Sequence, residues 1–411
     1  MNSPNIMRSD DLRAENRHRI LQTLRKQGPL SRAKIGKLTG LSQAALSTLF
    51  RHMTDQGYVT SESHTVDDRK RGRPKTTVAL DPEAARVVTV AITIDTLSFC
   101  VVNYAGETIS SEDQHLETTA LDTQQLYRAI SHGISKAIKP HNQACPTAIS
   151  IGFQGVTDTS TGELLWSPIL SVDNVPIGSM LKKKFNVPVT VHNDCGLIAK
   201  ALYNQAQKPL GDSFAVILFT QGIGLGVYLA GKPFTGAHSS ALELGHVQFE
   251  KNGALCRCGK KGCIEAYAAD YGILRSAKGL PDTDIPTGQI SDQKIEELIT
   301  AANNNNQPAI EAFRLAGKAI GFGLATVFTL LDALPVALVG HNTRAVNLMR
   351  SDIEIALTTV GRSPTDYSNF LHCYHDDTPL LFDGLKLEAM ATVDRVFAEN
   401  SDDSIFEKAF S

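Results

Sequence analysis

The sequence lacks a hydrophobic run long enough to cross a membrane. Its longest nearly apolar stretch, residues 319–331, is shorter than the roughly 20 residues that a spanning helix needs, and Asp332 and Pro335 follow it. The amino terminus also lacks the succession of basic residues, apolar run and small-residue cleavage site that marks a signal peptide. We therefore expect a cytoplasmic protein without membrane contact.

Cysteine is scarce, with seven residues in a chain of 411. In a cytoplasmic chain these thiols stay reduced, which excludes a disulfide-stabilised scaffold. Cys100, Cys145, Cys195 and Cys373 are scattered, whereas the other three lie within the eight residues 256–263. The 42% apolar and 20% charged residues exclude a disordered or fibrous chain, and the length predicts two or three domains.

The chain has little net charge, but the charges are unevenly distributed. The formal total is −3, yet residues 1–80 carry 15 Lys and Arg against 7 Asp and Glu, a net charge of +8. The remaining 331 residues carry 25 basic against 36 acidic residues, a net charge of −11. A basic amino-terminal segment joined to an acidic body predicts a polyanion-binding module attached to a domain with another task.

The basic segment, residues 1–80, has the pattern of a winged helix-turn-helix. Three short helices are predicted, with Gly28-Pro29 ending the first and Gly40 and Ser42 separating the second from the third. The third helix keeps its apolar residues on one stripe, so its other positions are free to meet base edges and phosphates in a major groove. The predicted DNA-binding residues of this helix are Ser42, Gln43, Ala44, Ser47, Thr48 and Arg51.

Two predicted strands, residues 57–60 and 76–80, form a wing with a basic tip at residues 67–75. Within the tip, the extended segment Arg71-Gly72-Arg73-Pro74 is slim enough for a narrow A·T-rich minor groove. The alternative is a small helical interaction domain that does not bind DNA. The positive charge, the glycine turn and the arginine segment together favour DNA binding.

In the acidic body, residues 81–411, the sequence pattern indicates apolar strands that alternate with helices. This pattern predicts two α/β lobes with a cleft between them. We place the first lobe at residues 81–192 and the second at 193–380. The carboxyl-terminal segment 381–411 has a helical pattern over residues 385–397 and is predicted to return to the first lobe. Ligands in such folds bind beyond the strand ends, where Gly155, Asn193-Asp194 and Gly222 are expected.

The cysteine cluster predicts a structural zinc site. Its spacing, Cys256-x-Cys258-x4-Cys263, brings three thiolates together, and His246 lies ten residues before the first of them. Three thiolates and an imidazole form a closed tetrahedral site that suits Zn²⁺ and leaves no position for a catalytic water. The alternative, three buried free cysteines, conflicts with the basic residues between them.

These motifs resemble those of the ROK family, which comprises repressors, open reading frames and sugar kinases. The resemblance is carried by Asn193-Asp194, by Glu243-x-x-His246 and by the cysteine segment that ends at Glu265. The helix-turn-helix makes the chain most similar to sugar-responsive repressors of the family, such as the xylose and N-acetylglucosamine regulators. The resemblance implies a winged helix-turn-helix followed by a two-lobed, actin-like sugar-kinase fold that assembles into homodimers or tetramers.

The resemblance also implies a ligand site. In ROK kinases the residue matching Asp194 is the general base, and those matching Asn193, Glu243, His246 and Glu265 hold the sugar hydroxyls, with the histidine also bound to zinc. Carboxylates and an amide supply the fixed acceptors and donors that a polyol requires. The residues taken alone have other readings: Glu243 on a helix surface, Asn193-Asp194 as a helix cap, and Glu265 in a first helical turn.

The kinase pattern fails at the nucleotide. Family kinases open with Asp-x-Gly-Gly-Thr, whereas residues 93–98 contain no glycine and place the acidic Asp95 where phosphates would bind. Gln221 occupies a position where small residues are common, and a late Gly-Gly is reduced to Gly340-His341. We therefore predict a vestigial base at Asp194 and no enzymatic activity.

The leading hypothesis is a DNA-binding repressor of carbohydrate genes that responds to a sugar or sugar phosphate. The first alternative is an ATP-dependent sugar kinase with an added DNA-binding head. A second alternative is that the body binds a protein of the phosphotransferase system.

Overall fold

The part of the chain that the structure describes is residues 9–64, 75–141, 145–206, 208–236, 242–285, 289–358 and 370–399. The structure is a computed structural model. Its helices are α1 Ser9–Gln27, α2 Arg32–Thr39, α3 Gln43–Asp55, α4 Thr123–Ile138, α5 Ile177–Phe185, α6 Asp194–Tyr203, α7 Glu265–Ala268, α8 Asp270–Ala277, α9 Asp292–Asn303, α10 Gln307–Leu331, α11 Val346–Thr358 and α12 Thr378–Glu399.

The strands form one three-stranded sheet in the amino-terminal head (residues 9–80), two five-stranded sheets and one short hairpin. They are β1 Leu30–Ser31, β2 Val59–His64, β3 Lys75–Leu80, β4 Arg86–Thr93, β5 Thr96–Asn103, β6 Thr108–His115, β7 Ala148–Phe153, β8 Val156–Asp158, β9 Glu163–Trp166, β10 Val189–Asn193, β11 Phe214–Phe219, β12 Ile223–Leu229, β13 Lys232–Phe234, β14 Val336–Val339 and β15 Leu371–Tyr374.

The amino-terminal segment forms a winged helix-turn-helix, as predicted. Ser31 caps α2 by accepting a hydrogen bond from the backbone N–H of Lys34, and Gly40 ends α2 in the left-handed region at φ +72°. Ser42 then caps α3. Gly36 lets α2 and α3 approach closely, because a Cβ at this position would lie 2.9 Å from Cδ1 of Leu46. Strands β2 and β3 form the antiparallel wing, and β1 pairs with the other edge of β3.

The two lobes of the body are built on sheets of similar topology, which confirms the two-lobed α/β prediction. The first has strand order β10-β7-β4-β5-β6 and the second has order β13-β12-β11-β14-β15. In each, three strands run parallel and two pair antiparallel at one side. Residues that follow the parallel strands line cavities between the sheets, which is where ligands of open α/β sheets bind.

Helix α10 is long and apolar enough to cross a membrane by length and composition, and 56% of its most apolar window is buried inside the protein. The expectation that no apolar segment reaches spanning length was thus wrong by length and composition, because the stretch 319–331 is only the second half of a 25-residue helix. Its buried face packs against α8 and α11, as the core helix of a folded domain does. Pro308 at the start of α10 fits the first turn, where its missing N–H has no helical partner.

Helix α12 joins the head to the body. It packs against β4 and β7 of the first lobe, against α6, and against α1 of the head. Phe397 near its end stacks on Tyr58 of the head with ring centroids 4.0 Å apart. One continuous hydrophobic core contains Leu21 of α1, Val87 of β4 and Phe397. The predicted domain boundary between residues 80 and 81 therefore lies between the elements of the head and those of the first lobe, which share one hydrophobic core.

A buried ion pair reinforces this junction. The guanidinium of Arg25 on α1 makes a bidentate contact with Asp394 on α12, with Nε–Oδ2 and Nη2–Oδ1 distances of 2.9 and 2.7 Å. The hydroxyl of Tyr104 donates to the same carboxylate at 2.7 Å, and the Tyr104 carbonyl accepts from Arg25 Nη1 at 2.9 Å. The side chain of Asp394 is 1% exposed, so the pair is shielded from water.

Replacing Asp394 by alanine is expected to destabilise the protein strongly, because it leaves Arg25 without its carboxylate partner at a buried position. We expect the free energy of unfolding in urea to fall by about 3 kcal/mol. The control is Glu112→Ala, which removes an ion pair with Lys136 whose side chains are 46% and 59% exposed. That change should be hardly measurable. Equal effects of the two substitutions would contradict the role of Asp394.

Candidate functional site

The five residues predicted to face a sugar all line one cleft between the two lobes. Asn193 ends β10, Asp194 begins α6, Glu243 and His246 lie on the turn after β13, and Glu265 begins α7. Further wall residues come from the ends of neighbouring strands: Gln154, Gly155, Pro168, Leu218, Gly222, Ile223 and Gly224. The free volume between these groups is only about 30 Å³, which holds a water molecule or two.

Asn193 is both part of this cleft and the N-cap of α6. Its Oδ1 accepts from the backbone N–H of Gly196 at 3.0 Å, and its Nδ2 donates to the Gly155 carbonyl at 2.8 Å and to Asp194 Oδ1 at 2.9 Å. The amide thus makes contacts within the protein through both of its polar atoms. It fixes the orientation of Asp194 and ties the end of β10 to the corner after β7.

Asp194 and Glu243 are carboxyl groups whose pKa values lie near neutrality. Burial raises the pKa of Asp194 to about 7, against the hydrogen bond from the Cys195 backbone N–H. Burial also raises the pKa of Glu243 to about 7, and the nearby charges of Asp194 and Glu265 add to the rise. Each group can therefore accept a hydrogen bond from a hydroxyl when it is a carboxylate, or donate one when it is protonated.

Glu265 connects the cleft to the cysteine cluster. Its side chain is 2% exposed, and Oε1 accepts from the Tyr271 hydroxyl at 3.2 Å and lies 3.5 Å from Cys256 Sγ. The other oxygen, Oε2, accepts from the backbone N–H of Ile223 at 3.4 Å. Any shift of the cysteine cluster would therefore move a wall of the cleft.

The four predicted zinc ligands come together. One donor atom from each of His246, Cys256, Cys258 and Cys263 lies within 4.8 Å of the others. Cys256 Sγ is 3.6 Å from His246 Nδ1, and Cys258 Sγ is 3.7 Å from Cys263 Sγ. A tetrahedral Zn²⁺ with Zn–S bonds of about 2.3 Å separates its ligands by roughly 3.7 Å. The residues present therefore fit the ion.

The ligand loop is shaped by close backbone contacts. Gly262 has φ +79°, and a Cβ there would lie 1.6 Å from the Glu250 carbonyl oxygen, so only glycine fits. Burial raises the pKa of the Cys263 thiol to about 11, which means that a cation is needed to hold it as a thiolate. The imidazole turns its Nε2 toward Glu243 Oε2, 3.6 Å away, and Trp166 packs edge-on against the same ring.

A larger cavity of about 350 Å³ adjoins the cleft and shares Gln154, Asp194 and Leu218 with it. Sequence reasoning missed most of its wall, because the wall comes from the ends of β4, β11, β14 and β15 and the starts of α9 and α12. Its further lining residues are Thr93, Ile94, Ile198, Thr220, Gln221, Gln289, Asp292, His341, Arg344, His375, Asp376, Asp377, Thr378 and Leu381.

The acidic charge at this cavity does not come from Asp95, where the sequence placed it. The Asp95 carboxylate accepts from the backbone N–H of Thr118 at 3.3 Å and does not line the cavity. The charge comes from Asp292, Asp376 and Asp377, which are all distant from Asp95 in the sequence. Asp95 turns away because the β4–β5 connection is a tight turn in which it has φ +56°.

Two further departures from the kinase pattern have structural roles. The side-chain amide of Gln221 donates to the Ile290 carbonyl at 2.5 Å and accepts from the Ile290 N–H at 3.1 Å. His341 makes contacts of 2.9–3.0 Å with the buried Asp270 carboxylate through Nε2. Burial by itself lowers the pKa of His341, but the hydrogen bond and charge of Asp270 raise it overall.

The candidate nucleic-acid interface is the outer face of α3. Its buried stripe is Leu46, Leu49, Phe50 and Met53, whereas all six predicted DNA-binding residues of the helix are exposed. Ser42 also accepts from the Ala45 N–H, and Ser47 and Thr48 donate to the carbonyls one turn before them. The predicted minor-groove residues Arg71, Gly72 and Arg73 lie outside the described residues.

Comparison with protein families gives two matches. The profile described as the ROK family matches residues 87–369, more than half of the chain, and the profile described as the MarR family matches residues 14–70. The first match covers most of the two lobes, and the second covers the helix-turn-helix and part of the wing.

Curated relatives extend over both parts. The chain is 27% identical over 330 residues to a xylose repressor of Caldicellulosiruptor bescii, with 78% of this chain and 82% of the relative covered. It is 23% identical over 347 residues to the DNA-binding transcriptional dual regulator NagC of Escherichia coli, covering 83% and 84% of the two chains.

Solved structures share the fold. A ROK family transcriptional regulator, described as a homologue of the E. coli MLC protein, aligns with a TM-score of 0.71 and 21% identity, covering 92% of this chain and 99% of that one. A ROK glucokinase from Streptomyces griseus, in complex with glucose and AMPPNP, aligns with a TM-score of 0.58 and 22% identity. The alignment covers 74% of this chain and 98% of the glucokinase.

One zinc ion per chain is expected in the purified protein by elemental mass spectrometry. Cys258→Ser should abolish the zinc and lower the melting temperature, because binding contributes on the order of 10 kcal/mol to local folding. The control is Cys145→Ser, which alters an exposed cysteine outside the cluster. Zinc retained by Cys258→Ser, or lost equally from Cys145→Ser, would contradict the assignment.

Proposed function

Because the chain belongs to the ROK family and carries a winged helix-turn-helix in front of the family's two lobes, we propose that it is a sugar-responsive transcription regulator. The observation that supports this most strongly is the presence of an exposed polar α3 face and a carboxylate-lined cleft in one chain. The named relatives include xylose and N-acetylglucosamine repressors, which favours repression of genes for carbohydrate uptake or catabolism.

The head is proposed to place α3 in the major groove of an operator. Gln43 and Thr48 offer hydrogen bonds to base edges, and Arg51 offers a cation to the phosphates. Two heads of a homodimer or tetramer would reach half-sites about 34 Å apart, one turn of the double helix. The protein is proposed to act in the cytoplasm, where its operator and its reduced thiols are found.

Helix α12 is proposed to carry the signal from the cleft to the head. Its first residue, Thr378, lines the large cavity, and near its end Asp394 pairs with Arg25 of α1 while Phe397 stacks on Tyr58 of the head. Midway, Glu388 pairs at 2.6 Å with Lys200 of α6, the helix that begins at Asp194. Since a helix of this length spans roughly 33 Å, displacement at one end moves the other.

Ligand binding is proposed to change this structure. A sugar ring does not fit in about 30 Å³, so it would either extend into the adjoining cavity of about 350 Å³ or separate the groups around the cleft. The ligand then binds one arrangement better than the other, which is the condition for shifting the equilibrium between them. The zinc loop is proposed to keep His246 and Glu265 in register during this change. A protein of the phosphotransferase system remains the second candidate partner of the body.

The arrangement is proposed to bind a sugar without phosphorylating it. By the family resemblance Asp194 matches the general base, but the neighbouring cavity presents Asp292, Asp376 and Asp377 to an incoming nucleotide. Acidic side chains repel phosphates unless a metal intervenes. Gln221 and His341 are held by hydrogen bonds within the protein.

DNA affinity is expected to depend on Arg51. In fluorescence anisotropy with an A·T-rich palindrome from the protein's own promoter region, Arg51→Ala should weaken binding. It should also reduce the log–log salt slope by about 0.9, the value for one phosphate contact. The control is Lys183→Ala, an exposed lysine of the first lobe that should leave both quantities unchanged. A wild-type protein with no sequence preference at physiological salt would contradict the regulator proposal.

No ADP above background is expected when the protein is incubated with ATP, Mg²⁺ and a panel of hexoses, N-acetylhexosamines and pentoses. The physical reasons are the acidic cavity and the lack of glycine in residues 93–98, where family kinases have a phosphate-binding motif. An active ROK glucokinase in the same coupled assay serves as the positive control. Turnover by this chain that Asp194→Ala abolishes would favour the kinase alternative.

A further inference from the structure

We propose that the effector is an unphosphorylated sugar, and that the acidic cavity beside Asp194 rejects the corresponding sugar phosphates. The inference rests on the proposed sugar-sensing function and adds the chemical class of the ligand. The observations behind it are the position of the cavity, the charges on its wall and the acidic residues at the starts of α9 and α12.

The cavity is the space into which a phosphate would extend. It meets the cleft at Gln154, Asp194 and Leu218. A sugar hydroxyl next to Asp194 points either at this boundary or back into the cleft. A phosphate on that hydroxyl would therefore lie in the large cavity or against Glu243 and Glu265.

The basic residues of the cavity wall already have polar partners within the protein. Arg344 Nη1 is 3.6 Å from Glu296 Oε2, and both side chains are about half exposed, at 43% and 53%. His341 contacts Asp270 through Nε2 and lies 3.4 Å from Asp292 Oδ1 through Nδ1. The third such residue, His375, faces the Thr343 hydroxyl at 2.7 Å through Nδ1.

The acids of the wall exceed these cations. Asp376 and Asp377 line the cavity without an ion pair among the described residues, and Asp194 adds a third carboxyl group. A sugar phosphate that entered would meet these carboxylates together with Asp292, and the interaction of like charges in a partly enclosed site is unfavourable. A sugar hydroxyl, in contrast, can donate to any of them.

Helix starts are common phosphate sites in α/β folds, and here both helix starts on the cavity wall carry acidic residues of the protein itself. Helix α9 begins with Asp292, and Asp376 lies two residues before the start of α12. The Asp376 Oδ1 accepts from the Thr378 backbone N–H at 3.0 Å. The first N–H of α12, which could otherwise bind an anion, thus donates to a carboxylate of the protein.

The test is a thermal-shift comparison of matched pairs: glucose with glucose 6-phosphate, N-acetylglucosamine with its 6-phosphate, and xylose with xylose 5-phosphate. We expect one unphosphorylated sugar to raise the melting temperature, with an apparent affinity at least about tenfold higher than that of its phosphate. A sugar phosphate that stabilises the protein as well as, or better than, its parent sugar would overturn the inference and leave sugar sensing intact.

The charge mechanism is tested with the double variant Asp376→Asn/Asp377→Asn, in which the first amide can still cap α12 because it keeps the accepting side-chain oxygen. The variant should reduce the ratio of the affinities for sugar and sugar phosphate by about tenfold, because it removes two acidic charges from the wall. The matched control is Asp383→Asn, an exposed residue of α12 outside the cavity, which should keep the wild-type preference.

Each remaining outcome is decisive. If the double variant discriminates as the wild type does, the charges of the cavity are not the cause and the inference fails. If no sugar binds in either form while operator binding holds, sugar sensing itself is wrong and the inference falls with it.

Discussion

The buried contact between Arg25 and Asp394 is the constraint on which the rest of this structure depends. It joins the first helix of the DNA-binding head to the last helix of the chain, and Tyr104 of the first lobe shares both partners. A buried pair of this kind holds a specific geometry, because either charge left alone would be strongly unfavourable. The head is therefore fixed to the body and not suspended from a linker, which is what a sensor needs if a change in the cleft is to reach DNA.

The cleft depends on a second constraint, the cysteine loop. His246 presents Nδ1 to Cys256 and Nε2 to Glu243, so a single ring belongs both to the predicted zinc site and to the ligand wall. Glu265 has the same double role through its contacts with Cys256 and the Ile223 backbone. The predicted metal ligands and the wall of the cleft therefore share side chains and cannot move independently.

Local features were predictable from the sequence, because their causes lie within a few residues. The end of α2 at Gly40, the start of α3 at Ser42 and the apolar stripe of α3 appear in the structure as predicted. Strands β7 and β11 were equally clear, since every residue in them is apolar or small and buried. The five predicted ligand-binding residues came from family motifs, which carry information about distant contacts that a single sequence does not.

Other features depend on the tertiary arrangement and were missed. Strand β6 is a mostly exposed edge strand without an alternating pattern, so nothing in its sequence distinguishes it from a loop. The acidic wall combines Asp292 with Asp376 and Asp377, which only the strand order brings together. The prediction that Asp95 supplies that charge was wrong, because the tight β4–β5 turn directs its carboxylate to Thr118.

The most direct measurement of the central claim is the coupling between the two binding sites. The affinity of the protein for its operator is measured with and without a saturating stabilising sugar, and its affinity for that sugar with and without operator. If α12 links one cleft to one DNA-binding head, both ratios must be the same factor, and typical coupling corresponds to about 5- to 150-fold. Two affinities that do not respond to each other would contradict the account.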